Sequence, residues 1–226
     1  MLTESLLHTA YLAGAYAALF GSAELLYHRL RTVAEVTRKY VHIVTGLLTL
    51  LFPPLIGNHW LVGLLCGGFL LILLASLRYG LLPSINGVAR QTRGSLLYPI
   101  TVYACYLAYA GSGQVALYYI PILVMALADP VAALVGKSLP RWRYRIFGHI
   151  KTGSGSLAFF GVATLVCSIV LLPTLAYPIG RVALTALAVS VTTTLAEAVS
   201  HKGYDNLTIP AAAMGTLLLL NECFAV

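Results

Sequence analysis

Apolar runs of about twenty residues recur from one end of this chain to the other, which limits what it can fold into. They fall near 5–27, 40–57, 60–77, 96–111, 114–136, 156–173, 180–200 and 209–225. Each is bounded by charge or by Pro/Gly clusters. In hydrocarbon every backbone N–H and C=O must be satisfied within the segment, so each run is predicted to be an α-helix. The expected fold is all-α: a polytopic integral-membrane helical bundle of about eight (7–8) transmembrane helices. At 226 residues, 59% hydrophobic and 9% charged, nearly all the chain is used in spans and short connections, so no separate soluble domain is expected.

The distribution of charge sets an orientation. Of the 14 Lys and Arg residues, all but Arg181 fall in or beside alternate connections. Arg29, Arg31, Arg38 and Lys39 flank the first connection, and Arg78, Arg90 and Arg93 the third. Lys137, Arg141, Arg143, Arg145 and Lys151 lie in the fifth, and Lys202 in the seventh. By the positive-inside rule these connections are cytosolic and both termini are on the non-cytosolic side. The net charge of +7 is therefore explained by topology and is not a signature of nucleic-acid binding. No cation precedes the first apolar run, which reads as a retained span and not as a signal peptide. Cys66, Cys105, Cys167 and Cys223 each sit in an apolar segment without a CxxC pair, which argues against a disulfide framework or structural zinc.

The most informative stretch is 128–160, ADPVAALVGKSLPRWRYRIFGHIKTGSGSLAFF. Asp129 lies inside an otherwise apolar helix, and a lone carboxylate in a membrane segment is a functional-site candidate by default. Asp129, Ala132, Ala133 and Gly136 follow i, i+3, i+4, i+7 spacing, so the acid shares a helix face with small residues. Such a face can line a cavity or pack tightly against another helix. A basic loop follows, and then KTGSGS opens the next apolar run. Lys151 and the N–H groups of Thr152 to Ser156 would stand at a helix N-terminus, which favours anions.

Other polar residues gather at the same predicted cytosolic face. Arg38 and His42 are spaced i, i+4 at the start of the second run, where they could hold a phosphate or snorkel toward headgroups. Arg93 and Gly94 precede a Tyr-rich run whose rings suit interfacial anchoring. Glu197 and His201 are also spaced i, i+4, and Asp205 and Asn206 follow on a connection before Pro210. That Asp-Asn pair could cap a turn. With Asp129 it also offers the hard oxygen donors that Mg²⁺ takes alongside substrate phosphates. The polar groups concentrate on one face, without a polar path through the bilayer midplane, which favours an interfacial enzyme over a transporter. Carboxylates plus a Lys at a Gly/Ser-rich helix start suit phosphoryl or nucleotidyl transfer. There is no Walker A sequence or protein-kinase GxGxxG.

These motifs resemble the CTP-dependent polyprenol and lipid-alcohol kinases, which include dolichol kinase and phytol kinase. The family's nucleotide motif corresponds to Asp129, Ala132, Gly136, a basic loop, and then Lys151, Thr152, Gly155, Ser156 and Ala158. The likeness extends to Arg38, Lys39 and His42, to Arg93, Gly94, Tyr98 and Pro99, and to Glu197, Asp205, Asn206 and Pro210. The chain departs from the family pattern at Ala128, at Pro140 and at Gly153–Ser154. The resemblance implies one integral-membrane kinase domain over 1–226, acting at the cytosolic face of a multi-pass protein (in the cell membrane, if prokaryotic). It implies transfer of the γ-phosphate of CTP, with Mg²⁺, to a membrane-dissolved isoprenoid alcohol of phytol or prenol type, releasing CDP. Asp129, Asp205 and Glu197 would be the catalytic acids, and Asp129, Asp205 and Asn206 the metal ligands. Ala132, Gly136, Lys151, Thr152, Gly155, Ser156, Arg38 and His42 would bind nucleotide and phosphate, with Arg93 and His201 as further candidates. The alternatives are a phosphatidate cytidylyltransferase-like CDP-lipid synthase, whose HGG-x-x-D-R signature is missing, and a non-enzymatic transporter.

Overall fold

A computed structural model describes residues 2–87, 93–174 and 178–224. Arg90 lies outside the described residues, as does the side chain of Cys223. Helices fall on every predicted apolar run. They are α1 (Leu2–Arg29), α2 (Ala34–Thr49), α3 (Phe52–Leu55), α4 (His59–Tyr79), α5 (Pro83–Asn86) and α6 (Gly94–Ser112). Then come α7 (Ala116–Leu123), a π-helical turn at Val124–Ala128, α8 (Asp129–Ser138), α9 (Gly153–Leu171), α10 (Ile179–Val199) and α11 (Asp205–Phe224). Among the described residues four helical segments are long and apolar enough to cross a bilayer: His59–Tyr79, Ala116–Ser138, Gly153–Leu171 and Ile179–Val199. The chain is a helical membrane protein. α2 is shorter, at 16 residues, and α1, though 28 residues long, carries Glu4, His8 and Glu24.

One departure from helix is clear. The basic segment predicted as a plain loop contains an antiparallel hairpin, β1 (Arg143–Ile146) with β2 (His149–Thr152). Its two-residue turn, Phe147-Gly148, has φ of 47° and 80°, the positive values that a type I′ turn requires. A left-handed backbone costs a non-glycine residue roughly 1–2 kcal/mol, so Phe147 is an unusual occupant of that turn.

The chain divides into two compact units, Met1–Leu107 and Ala108–Val226. In the N-terminal unit α1 packs against α2, α4 and α5. Tyr16 meets Phe69 edge-on at 4.5 Å and Phe52 at 6.4 Å. A part-buried polar knot joins three of its helices. Ser84 donates to Glu24 Oε1 from its hydroxyl at 2.5 Å and from its N–H at 3.2 Å, while Thr37 Oγ1 donates to Ser84 O at 2.5 Å.

In the C-terminal unit α9 packs against α7, the π turn, α8 and α10, and α11 packs against α7, the π turn and α10. Hydroxyl pairs stitch three of these helices: Thr164 to Ser190 at 3.0 Å and Thr192 to Thr216 at 2.8 Å. Each such bond in lipid contributes on the order of 0.6 kcal/mol. The π turn has a local cause. Pro130 has no N–H to donate, and its ring crowds the carbonyl four residues back, so the helix widens just before it.

Candidate active site

The site is built where four chain segments of the C-terminal unit come together around the start of α9. α8 supplies the small-residue face. Ala132 O lies 2.9 Å from where a Cβ on Gly155 would be, and that Cβ would lie 3.4 Å from Gly136 Cα. A Cβ on Gly136 would meet Thr152 Oγ1 at 2.7 Å. Gly136 and Gly155 therefore let α8 and α9 approach backbone to backbone. Asp129 is half-buried one helical turn before Ala132 on that face, directly after the π turn. One turn places it about 5 Å along the axis from the close contact.

The hairpin supplies the second wall. Its register pairs Arg143 with Thr152, Tyr144 with Lys151, Arg145 with Ile150 and Ile146 with His149. Opposed residues in an antiparallel pair point to the same side, so Tyr144, Ile146, His149 and Lys151 share one face. That face is engaged. The Tyr144 hydroxyl lies 2.7 Å from Ser156 Oγ, and the His149 ring stacks on His201 with centroids 5.1 Å apart and planes 22° apart. Thr152 is the N-cap of α9, accepting from Gly155 N at 3.2 Å, and Gly153 N donates to Trp142 O at 3.0 Å. Two of the helix-start donors predicted to meet phosphate are thus already occupied by the chain itself.

The third contributor is the C-terminal end of α10. Lys151 Nζ donates to the backbone carbonyl of Glu197 at 2.5 Å and forms an ion pair with Glu197 Oε1, linking positions 46 residues apart. Glu197 is only 7% exposed. Its second oxygen, Oε2, is buried without a hydrogen-bond partner. A buried carboxylate oxygen left unsatisfied is costly, which marks this atom as a place where a ligand would be welcome. α10 is capped by Ser200, whose hydroxyl contacts Thr208 Oγ1 of α11. Lys202 and Gly203 turn the chain with φ of 54° and 88°. The turn delivers Asp205 to the first position of α11, where Oδ1 accepts from Asn206 N at 3.0 Å. Asn206 is buried, at 7% exposure.

The structure thus brings Lys151 and Glu197 into contact, and joins Thr152, Gly155, Ala132 and Gly136 in one helix crossing. His201 meets His149, a residue that sequence reasoning passed over. Its cue was the strict alternation Tyr144, Ile146 and His149, Lys151 about a Phe-Gly turn. Among the described residues no three His, Cys, Asp or Glu side chains cluster as a ready metal cage. Arg38, His42 and Arg93 belong to the N-terminal unit. There the His42 ring meets Tyr98 edge-on at 5.0 Å, and the Tyr98 hydroxyl donates to His42 O at 3.2 Å.

Comparison with known proteins adds one relative. The chain is 36% identical over 190 residues, 84% of its own length and 81% of the other's, to a protein of Synechocystis sp. named phytol kinase. No protein-family model matches the chain, and no solved structure does.

Proposed function

The chain belongs to the phytol kinase-like family of lipid-alcohol kinases, phosphotransferases acting on an alcohol, and from that premise we propose that it transfers the γ-phosphate of CTP to an isoprenoid alcohol of phytol or prenol type. The products are the prenyl monophosphate and CDP. Residues 1–226 act as one multi-pass kinase domain of about eight spans, with both termini on the non-cytosolic side. The reaction takes place at the cytosolic face, where a nucleotide from water meets an alcohol from lipid. The carrying observation is Glu197: one carboxylate oxygen held by Lys151, the other buried and unsatisfied.

In this reading the orphan Oε2 accepts a hydrogen bond from the substrate hydroxyl. The alcohol oxygen then attacks the γ-phosphorus, the bond to the β-phosphate oxygen breaks, and the hydroxyl proton passes to the carboxylate. Lys151 has two roles in sequence. Before nucleotide binds, it neutralises Glu197 and anchors the hairpin to α10. The triphosphate then competes for its charge, as phosphates commonly do at a lysine beside a helix N-terminus. Gly136 and Gly155 keep α8 close, so Asp129 faces the same crossing. Asp129, Asp205 and the Asn206 amide carry the oxygen donors that a hard cation takes, although among the described residues they do not form a ready cage with Glu197, so substrate phosphates would have to complete the set. Those residues would hold Mg²⁺, which supplies charge neutralisation on the phosphates when bound. Arg38, His42 and Arg93 are proposed as further anion contacts of the N-terminal unit, and His201 as support for the hairpin.

The test is product analysis with γ-labelled CTP, Mg²⁺ and a panel of lipid alcohols, using purified protein in detergent. Label should move to the lipid and CDP should accumulate. Release of labelled pyrophosphate with a CDP-lipid product would replace this reading with the cytidylyltransferase one.

A further inference from the structure

Apart from Thr152, which caps α9, and the Trp142 carbonyl, which accepts from Gly153 N, the outward face of the hairpin has no part in the site just described. Opposite Lys151 and Tyr144 the register places Arg143, Arg145 and Ile150, all exposed. Arg141 precedes them, and residues 130–196 contain no Asp or Glu. Trp142 is 69% exposed, Phe147 75% and Ile150 63%. Trp142 and Phe147 also occupy left-handed backbone, with φ of 52° and 47°. Bulky residues avoid that region, and Asn or Gly would serve an exposed turn better. Trp142 lies over Gly153 and the Phe147 ring stands 6.5 Å from that of His201, yet both side chains remain mostly exposed. The hairpin also joins two membrane-capable helices, Ala116–Ser138 and Gly153–Leu171, so both of its ends lie within a few residues of hydrocarbon.

We infer that the outward face of the hairpin 141–152 is a lipid-docking surface: Trp142, Phe147 and Ile150 enter the interfacial layer, while Arg141, Arg143 and Arg145 bind the phosphates of anionic lipids. An interface of this kind combines aromatic rings at headgroup level with cations drawn to an anionic leaflet. Docking holds the opposite face, with Lys151, against α10. A soluble nucleotide is the competing occupant, and the side on which Lys151 lies argues against it.

The test reads fluorescence, so its failure is separable from failure of the kinase reading. The chain has 2 Trp residues, and Trp60→Phe leaves Trp142 as the single reporter. The full protein is placed in nanodiscs containing brominated phosphatidylglycerol or brominated phosphatidylcholine. Trp142 emission should be quenched roughly twofold or more in the anionic discs and less in the neutral ones. Arg143→Gln with Arg145→Gln should remove most of that difference. Phe147→Asn keeps a favoured type I′ residue, so the hairpin should form while quenching falls. Two outcomes overturn the inference. One is an unquenched Trp142 in both discs. The other is quenching insensitive to all three substitutions; CTP shielding of Trp142 from iodide would then make this the nucleotide face.

Discussion

Lys151 and Glu197 differ in what each would leave behind if removed. Lys151→Met strands the carboxylate of a buried side chain, whereas Glu197→Gln leaves a lysine whose side chain is 21% exposed and still has an amide oxygen and the residue-197 carbonyl to bind. Breaking a buried pair by removing one partner costs about 3–5 kcal/mol, and the partial exposure of Lys151 argues for the lower end. Thermal unfolding should therefore show Lys151→Met clearly destabilised and Glu197→Gln much less so. The double variant should recover part of the loss, with a coupling of about 1–3 kcal/mol in a double-mutant cycle. Strict additivity would mean that the two side chains do not share a desolvated contact. Asp129→Asn removes charge but not volume, and should fold normally while losing nearly all turnover. Near wild-type phosphorylation by that variant would return Asp129 to a packing role.

At the scale of elements, the α8–α9 crossing makes a sharp contrast between two glycines. Gly155→Ala drives a Cβ to 2.9 Å from Ala132 O, whereas a Cβ on Gly161 of the same helix meets nothing within 4 Å. The first should destabilise by about 1–3 kcal/mol and reduce activity. The second should be neutral or stabilising by up to about 1 kcal/mol. Equal effects would mean that the helices do not meet at Gly155. The start of α9 at KTGSGS and the small-residue face of α8 were legible, because capping chemistry and 3.6-residue spacing are local signals. The Lys151–Glu197 pair was not, since no pattern within 46 residues fixes which turn of α10 meets β2. The same holds for the Glu24–Ser84 bonds, made across 60 residues. The hairpin was hidden for a different reason. Five cations between two apolar runs read first as a topology signal, and its turn carries Phe-Gly in place of the usual Asn-Gly.

For the whole molecule, alternation of cationic connections predicts the sidedness of every loop. Single cysteines at Ser138 and Lys202 should react with an impermeant reagent only from the cytosolic side, and one at Ser112 only from the opposite side. Labelling of all three from one side would dismiss the proposed topology and the cytosolic placement of the site. Asp129, Lys151, Glu197 and Asp205 all lie in the C-terminal unit. The most direct test is kcat/KM for CTP and phytol, measured on detergent-purified Glu197→Gln whose melting temperature matches wild type. If the unsatisfied oxygen of Glu197 takes the substrate's proton, the variant should lose at least about 100-fold, the usual worth of a positioned base. A folded Glu197→Gln protein with wild-type kcat/KM would contradict the account.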